Sequence, residues 1–413
     1  MRILYTIAIA IYGFGIKVAS LFNGKARLWV NGRKDIFEKI RNTGTGGKPA
    51  IWVHASSLGE FEQARPVIER IRQDYPKYRV VVTFFSPSGY EIRKNYGNAD
   101  SVLYLPLDTP RNARRFLDMI NPEMALFVKY DFWFNYLAEL RKRRIPTFIF
   151  STIFRPSQYF FKFYGYWFLK QLGVFTNFFV QNEASLQLLE KHGFRNAVIA
   201  GDTRFDQVIK IASTAKNFPE IEQFVDGKKV VIAGSSWQPD EKILHQFLNT
   251  TRHDVKLILA PHEIDDRHIN QIKTLFGNTA VCYTELSGIQ NLQSYRVLII
   301  NTMGMLSSIY RYSTVAYVGG GFGKGIHNIL EAVVYGSPVC FGPNYRKFQE
   351  AKDIISLGGG KSINSAEDLC QILELWLSDE NEYRRASSIC NRYTAGNQGS
   401  AEKILSIVKN HLH

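Results

Sequence analysis

Short apolar runs alternate with amphipathic stretches along most of this chain, in two series separated by a polar gap. The first series falls at residues 50–54, 79–84, 102–105, 125–128, 147–150, 178–181 and 198–200. The second falls at 229–233, 256–260, 280–283, 297–300, 314–318 and 338–341. Helical periodicity lies between them, as at 60–74 and 110–120. Apolar runs this short, alternating with helices, read as strands buried on both faces, joined by crossover helices into parallel sheets. A chain of 413 residues also exceeds what one core usually holds. The expected architecture is therefore α/β, with two doubly wound, Rossmann-like domains facing a central cleft. Its divisions are an N-terminal segment at 1–24, a first domain at 25–210, a linker at 211–228 and a second domain at 229–413. The last helix is free to pack back on the first domain. Ligands of such sheets bind beyond the carboxyl ends of strands, so the loops after strands should carry the chemistry.

The net charge of +14 points to acidic partners. No base-reading motif stands out, and basic residues are interleaved with aromatic ones, which favours an anionic membrane surface over nucleic acid. Residues 154–170 contain nine aromatics among Arg155, Lys162 and Lys170. A buried aromatic helix is the plain reading; membrane-interface or lipid contact is the functional one. Residues 3–16 carry no charge, and Lys17, Lys25, Arg27, Arg33 and Lys34 follow. This reads as a membrane anchor, spanning or lying on the bilayer, with the body of the protein in the cytoplasm. Cys282, Cys340, Cys370 and Cys390 show no metal or disulfide spacing.

Two strand exits attract most interest. After the first strand, Ser56 and Ser57 are plausible caps for a helix that begins near Glu60. A carboxylate there is favourable with the helix dipole; it is also placed to act as a general base once burial or a neighbouring charge raises its proton affinity. In the second half, Gly319-Gly320-Gly321-Phe322-Gly323-Lys324-Gly325 follows a strand and precedes a helix-forming run. The spacing matches neither a P-loop nor a dinucleotide fingerprint. It reads as a phosphate cradle of backbone N–H groups or as a flexible turn. No D-x-D occurs, so the reading holds no metal clamp and no cofactor.

Taken together, HASSLGE (54–60), SPSGY (86–90), YLPLDTP (104–110), DFW (131–133), QNE (181–183), GDTRFD (201–206), NTMGM (301–305) and the GGG…HNILEA run (319–332) resemble the 3-deoxy-D-manno-octulosonic acid (Kdo) transferases. The resemblance implies a GT-B glycosyltransferase with an N-terminal membrane-anchor helix at the cytoplasmic face of the inner membrane. It would move Kdo from CMP-Kdo to a lipid A precursor in lipopolysaccharide synthesis. Glu60 matches the family's base, Asp131 the second acid of its E-T-E-L-W pattern, and Arg204 a position usually held by Lys. CMP contacts map to Pro261, His262, Met303, Gly304, Met305, Asn328, Ile329, Leu330 and Glu331. Lys129 stands where the family has its first acid, and His262 where it usually has Arg. Two other readings stay open: a GT-B transferase using a UDP-sugar, and an inactive nucleotide- or lipid-binding membrane protein.

Overall fold

The computed structural model describes residues 1–44 and 48–412. It holds two seven-stranded sheets, with every pairing parallel. The first is built from β1 (Ala50–Ala55), β2 (Arg79–Phe84), β3 (Ser101–Tyr104), β4 (Pro122–Val128), β5 (Thr147–Thr152), β6 (Asn177–Val180) and β7 (Ala197–Ile199), in the order β3-β2-β1-β4-β5-β6-β7. The second contains β8 (Lys229–Ser236), β9 (Val255–Pro261), β10 (Ala280–Cys282), β11 (Val297–Ile299), β12 (Val315–Val318), β13 (Val339–Phe341) and β14 (Gly360–Ser362), in the order β10-β11-β9-β8-β12-β13-β14. Strand β14 escaped the sequence pattern because Gly, Lys and Ser carry no strand preference. Strand β1 shows why these runs are largely apolar. Its Ala50 and Trp52 join the core on one face, and Ile51, Val53 and Ala55 join the core on the other.

The chain forms two compact units, Met1–Gln207 with Gln398–His413, and Val208–Asn397. The stretch read as a patternless linker at 211–228 instead holds the helix Pro219–Val225, with Ile221 and Phe224 fully buried. Its seven residues, about two turns, are too few to show a period, although Pro219 at its first turn is a start signal. The last helix, Ser400–Val408, packs in the first unit through Ala401, Ile404, Leu405 and Val408. Its N-terminus is held from far away in sequence: the Asp206 carboxylate accepts the N–H groups of Gly399 (2.6 Å) and Ala401 (2.7 Å). Asp206→Ala should cost about 1–2 kcal/mol, the range of lost helix caps. Hydrogen exchange across 400–408 should rise selectively; unchanged protection there would refute the assignment.

The N-terminal helix α1 (Arg2–Ala19) is, among the described residues, the one helix long and apolar enough to cross a membrane, and almost all of it is exposed. Its first turn is nonetheless tied to the first unit. Tyr5 Oη donates to Asp108 Oδ2 (2.6 Å), and Arg2 Nε donates to Asn135 Oδ1 (3.0 Å). Asp108 also accepts the backbone N–H groups of Asn135 and Tyr136 at the start of helix Phe134–Arg143. The YLPLDTP motif is thus a double cap, since Thr109 Oγ1 accepts from Asn112 N at the next helix. Burial pushes the Asp108 carboxyl up to about 6, against the hydrogen bonds that favour its charge.

Candidate active site

Both sheets reverse their winding beside their first strand, β1 against β4 and β8 against β12. That is where doubly wound sheets bind ligands. In the first unit this point gathers the exits of β1 and β4. Ser57 is the N-cap of helix α4 (Leu58–Asp74), and Glu60, its third residue, accepts the Ser57 N–H at 3.0 Å. The SPSGY motif supports this turn. Ser86 N–H donates to Ser56 O at 2.7 Å, and a Cβ on Gly89 would meet the Phe84 ring at 2.2 Å and the Ser57 carbonyl carbon at 3.1 Å.

The Glu60 carboxyl is pushed up to about 7. Burial is the main cause and the Asp131 charge the second; Lys129 and the Ser57 and Ser56 N–H groups pull the other way. A carboxylate at a helix start would ordinarily sit low. Desolvation and a like charge override the dipole and leave a group matched to proton transfer near neutral pH.

Beside Asp131 lies a histidine that was not singled out as a site residue. The fully buried His54 ring sits with Nε2 3.3 Å from Asp131 Oδ2. Trp133 Nε1 donates to His54 Nε2 at 2.9 Å, and His54 Nδ1 meets Thr83 Oγ1 at 2.8 Å. Trp52 Nε1 also donates to Thr83 Oγ1 at 2.8 Å. With Trp133 donating to Nε2, the neutral ring carries its proton on Nδ1. Asp131 Oδ2 is left buried without a hydrogen-bond partner among the described residues. The signal in sequence was the histidine of HASSLGE, which an apolar strand does not need. Lys129, beside them at the β4 exit, is held at φ 58°. A non-glycine residue in that region is a mark of functional strain.

Arg204 is anchored at the start of helix Arg204–Ser213, where Nε and Nη2 both donate to Asp202 Oδ2 (2.9 and 2.7 Å). Asp202 in turn accepts from Gln63 Nε2 (2.8 Å), and Thr203 Oγ1 donates to Gln63 O (2.6 Å). The GDTRFD motif is thereby fastened to the helix that carries Glu60.

In the second unit the expected donor contacts gather at the carboxyl ends of β9, β11 and β12. Pro261 closes β9, Met303–Met305 follow β11, and Asn328–Glu331 follow the glycine run after β12. Met303 is 80% exposed and Gly304 adopts φ 84°, at the start of the short helix Leu306–Ile309. Asn328 Oδ1 accepts from Leu330 N, and Asn328 Nδ2 donates to Glu331 Oε1 at 3.1 Å. Burial first, then the Glu331 charge, pushes up the Tyr310 phenol, which links this segment to the one after β11. Ile329 and Leu330 are buried, so their side chains face the core.

Four N–H groups of the glycine run are spent within the protein. Gly319 N–H donates to Gly234 O, Gly320 N–H to Asp240 Oδ2, and those of Gly323 and Gly325 to Gly320 O. Its glycines are required for space. A Cβ on Gly319 would lie 2.4 Å from Ser235 O, and one on Gly321 2.6 Å from Gly342 Cα. Asp240, unmarked in the sequence reading, organises the loop by accepting from Tyr317 Oη (2.6 Å), Gly320 N (3.0 Å) and Trp237 N (2.9 Å). Trp237 stacks on His262 (centroids 4.7 Å apart), and His262 on His327 (4.4 Å). Burial, then His262, holds His327 down at about 4, so this ring is neutral at physiological pH. Among the described residues no cluster of three His, Cys, Asp or Glu side chains is arranged to hold a metal ion.

Residues 32–207 match the domain model of 3-deoxy-D-manno-octulosonic-acid transferase (kdotransferase). The chain is 23% identical to the 3-deoxy-D-manno-octulosonic acid transferase of Rickettsia typhi, over 96% of this chain and 87% of that one. It is 26% identical to the Aquifex aeolicus enzyme of the same name, over 82% of this chain and 88% of that one. Its fold is that of a putative UDP-N-acetylglucosamine 2-epimerase from Listeria monocytogenes (TM-score 0.61, 14% identity, 88% of this chain and 97% of that one). It is also that of CalG4, the calicheamicin glycosyltransferase (TM-score 0.55, 12% identity, 89% and 98%). With a Kdo-transferase domain model matching most of its first unit and relatives named Kdo transferases along nearly its full length, this GT-B protein is a glycosyltransferase similar to the Kdo transferases.

Proposed function

We propose that this protein transfers Kdo from CMP-Kdo to a hydroxyl of a lipid A precursor. The observation that carries the reading is the Glu60 carboxyl, raised to about 7 at the switch point of the first sheet. Its carboxylate takes the proton of the acceptor hydroxyl as that oxygen bonds to the anomeric carbon of Kdo. The bond from that carbon to the CMP phosphate oxygen breaks, and CMP departs with the electron pair. Asp131 sets the proton affinity of Glu60 by its charge. Arg204, aligned by Asp202, offsets charge developing in transfer. Pro261, His262, Met303–Met305 and Asn328–Glu331 hold CMP, and the reading assigns no role to a metal. Incubation with CMP-Kdo and tetraacyl lipid A precursor, with products weighed by mass spectrometry, tests it directly. Transfer from a UDP-sugar but not from CMP-Kdo would establish the alternative donor.

The reading places α1 at the cytoplasmic face of the inner membrane. Ile3, Ile7, Ile11 and Phe14 are exposed along the helix, and Phe163, Tyr164 and Tyr166 are exposed nearby. Tyr5 packs 6.4 Å from Trp167, which makes these one surface. The aromatic stretch divides its labour, since Phe154 and Phe160 are buried in the core. Apolar and aromatic residues flanked by cations are the composition of a membrane-interface surface.

Because Glu60 acts only when ionised, kcat/KM should climb with pH and level off above about 7. Asp131→Asn removes a charge that raises Glu60, so the rising limb should move to lower pH. A limb near 4.5, or one unmoved by the substitution, would contradict the assignment.

A further inference from the structure

A cavity of about 860 Å³ lies behind α1, walled by that helix, by α2 (Gly24–Gly32) and α3 (Ile36–Asn42), and by Pro106 and Leu107. Its size is that of a ligand pocket. The catalytic assignments do not use it. Three features define what would fit.

Its walls are mainly apolar: Phe14, Val30, Ile36, Phe37 and Leu107 line it. Its charged residues are unbalanced, with Lys17, Arg33, Lys34 and Arg115 against Asp35 and Glu38. Arg33 is committed to structure, donating to the carbonyls of Leu105, Phe85 and Trp29 while lying 3.8 Å above the Trp29 ring. Lys17, Lys34 and Arg115 make no ion pair among the described residues; the Arg115 guanidinium lies 4.1 Å from the Phe37 ring centre. Finally, Trp29 lines the cavity, is 7% exposed, and its buried indole N–H has no acceptor.

We infer that this cavity binds one anionic phospholipid of the bilayer, the acyl region against the apolar wall and the phosphoryl headgroup among Lys17, Lys34 and Arg115. The assignment rests on the reading that α1 faces the membrane. The same helix then offers Ile7 and Ile11 to the bulk bilayer, so a chain leaving the cavity enters lipid without crossing water. Sugars and nucleotides lack the apolar part that these walls require, and a lipid without net negative charge does not balance the excess of cations around the cavity.

Native mass spectrometry of the full-length protein in detergent, with phosphatidylglycerol, phosphatidylcholine or diacylglycerol added, tests the site. One phosphatidylglycerol should be retained at least tenfold more tightly than either other lipid. Ala10→Trp, which fills the cavity, and Lys17→Glu with Lys34→Glu, which reverse its charge, should each abolish that preference. Circular dichroism verifies that each variant is folded. Equal retention of diacylglycerol, or wild-type retention by Ala10→Trp, would overturn the proposal. So would preferential retention of the tetraacyl lipid A precursor, which would reassign the cavity to the acceptor. Sedimentation with phosphatidylglycerol vesicles separates the two layers. Vesicle binding without a retained lipid sinks the cavity alone, whereas loss of vesicle binding sinks the membrane reading beneath it.

Discussion

Glu60→Gln is expected to lower the transfer rate by roughly 10²–10⁴, the usual contribution of a positioned general base. The substitution keeps the side-chain oxygen that accepts the Ser57 N–H, so the start of α4 should survive. CMP binding should also survive, because its expected contacts lie in the second unit. The variant carries a second, independent signature. A carboxyl raised in the folded state is most favourable to folding when protonated. Its contribution is fully present below its ordinary value near 4.5 and is lost as pH rises through about 7. Glutamine escapes that loss, so Glu60→Gln should be more stable than the parent at pH 8 by on the order of 2–3 kcal/mol, and no more stable at pH 4. Urea unfolding at the two pH values measures this. Full activity would remove Glu60 as base; loss of activity without the stability gain would show that burial does not set its proton affinity.

Asp240→Ala is expected to be the most damaging single change in the second unit. The carboxylate is 1% exposed and receives the Tyr317 hydroxyl and the N–H groups of Gly320 and Trp237. Truncation strands three buried donors, each costing about 1–3 kcal/mol, so a total near 3–5 kcal/mol is expected after partial relaxation. Trp237 carries His262, and Gly320 opens the loop that leads to Asn328–Glu331. Calorimetric CMP affinity should therefore fall by at least tenfold, while vesicle binding is unchanged. A variant of reduced stability that still binds CMP as the parent does would mean that the nucleotide does not depend on this loop.

Much of the fold was legible before any coordinates. Runs such as 80–82 and 257–260 are apolar throughout because both faces of a parallel sheet are covered, and that pattern needs no knowledge of partners. The helix Pro219–Val225 and strand β14 were not legible, because elements this short leave no period to read. The motifs divided in the same way. Ser57 and Glu60 announced a helix start by their spacing alone. The glycine run announced close backbone packing, but not which N–H groups remained for a ligand.

Sequence alone therefore settled the alternation into two parallel sheets, the strand ends where ligands would gather, and the residue types standing there. Tertiary structure decided what those residues can do. The Glu60 carboxyl is raised to about 7 only where folding buries it and brings Asp131 beside it. The Gly320 N–H is withdrawn from any ligand only because Asp240, 80 residues earlier, comes to accept it. Local backbone preference acts through neighbours in the chain, so it can be read from the chain. Desolvation, electric field and hydrogen-bond competition act through space, and their sources exist only once the chain has folded.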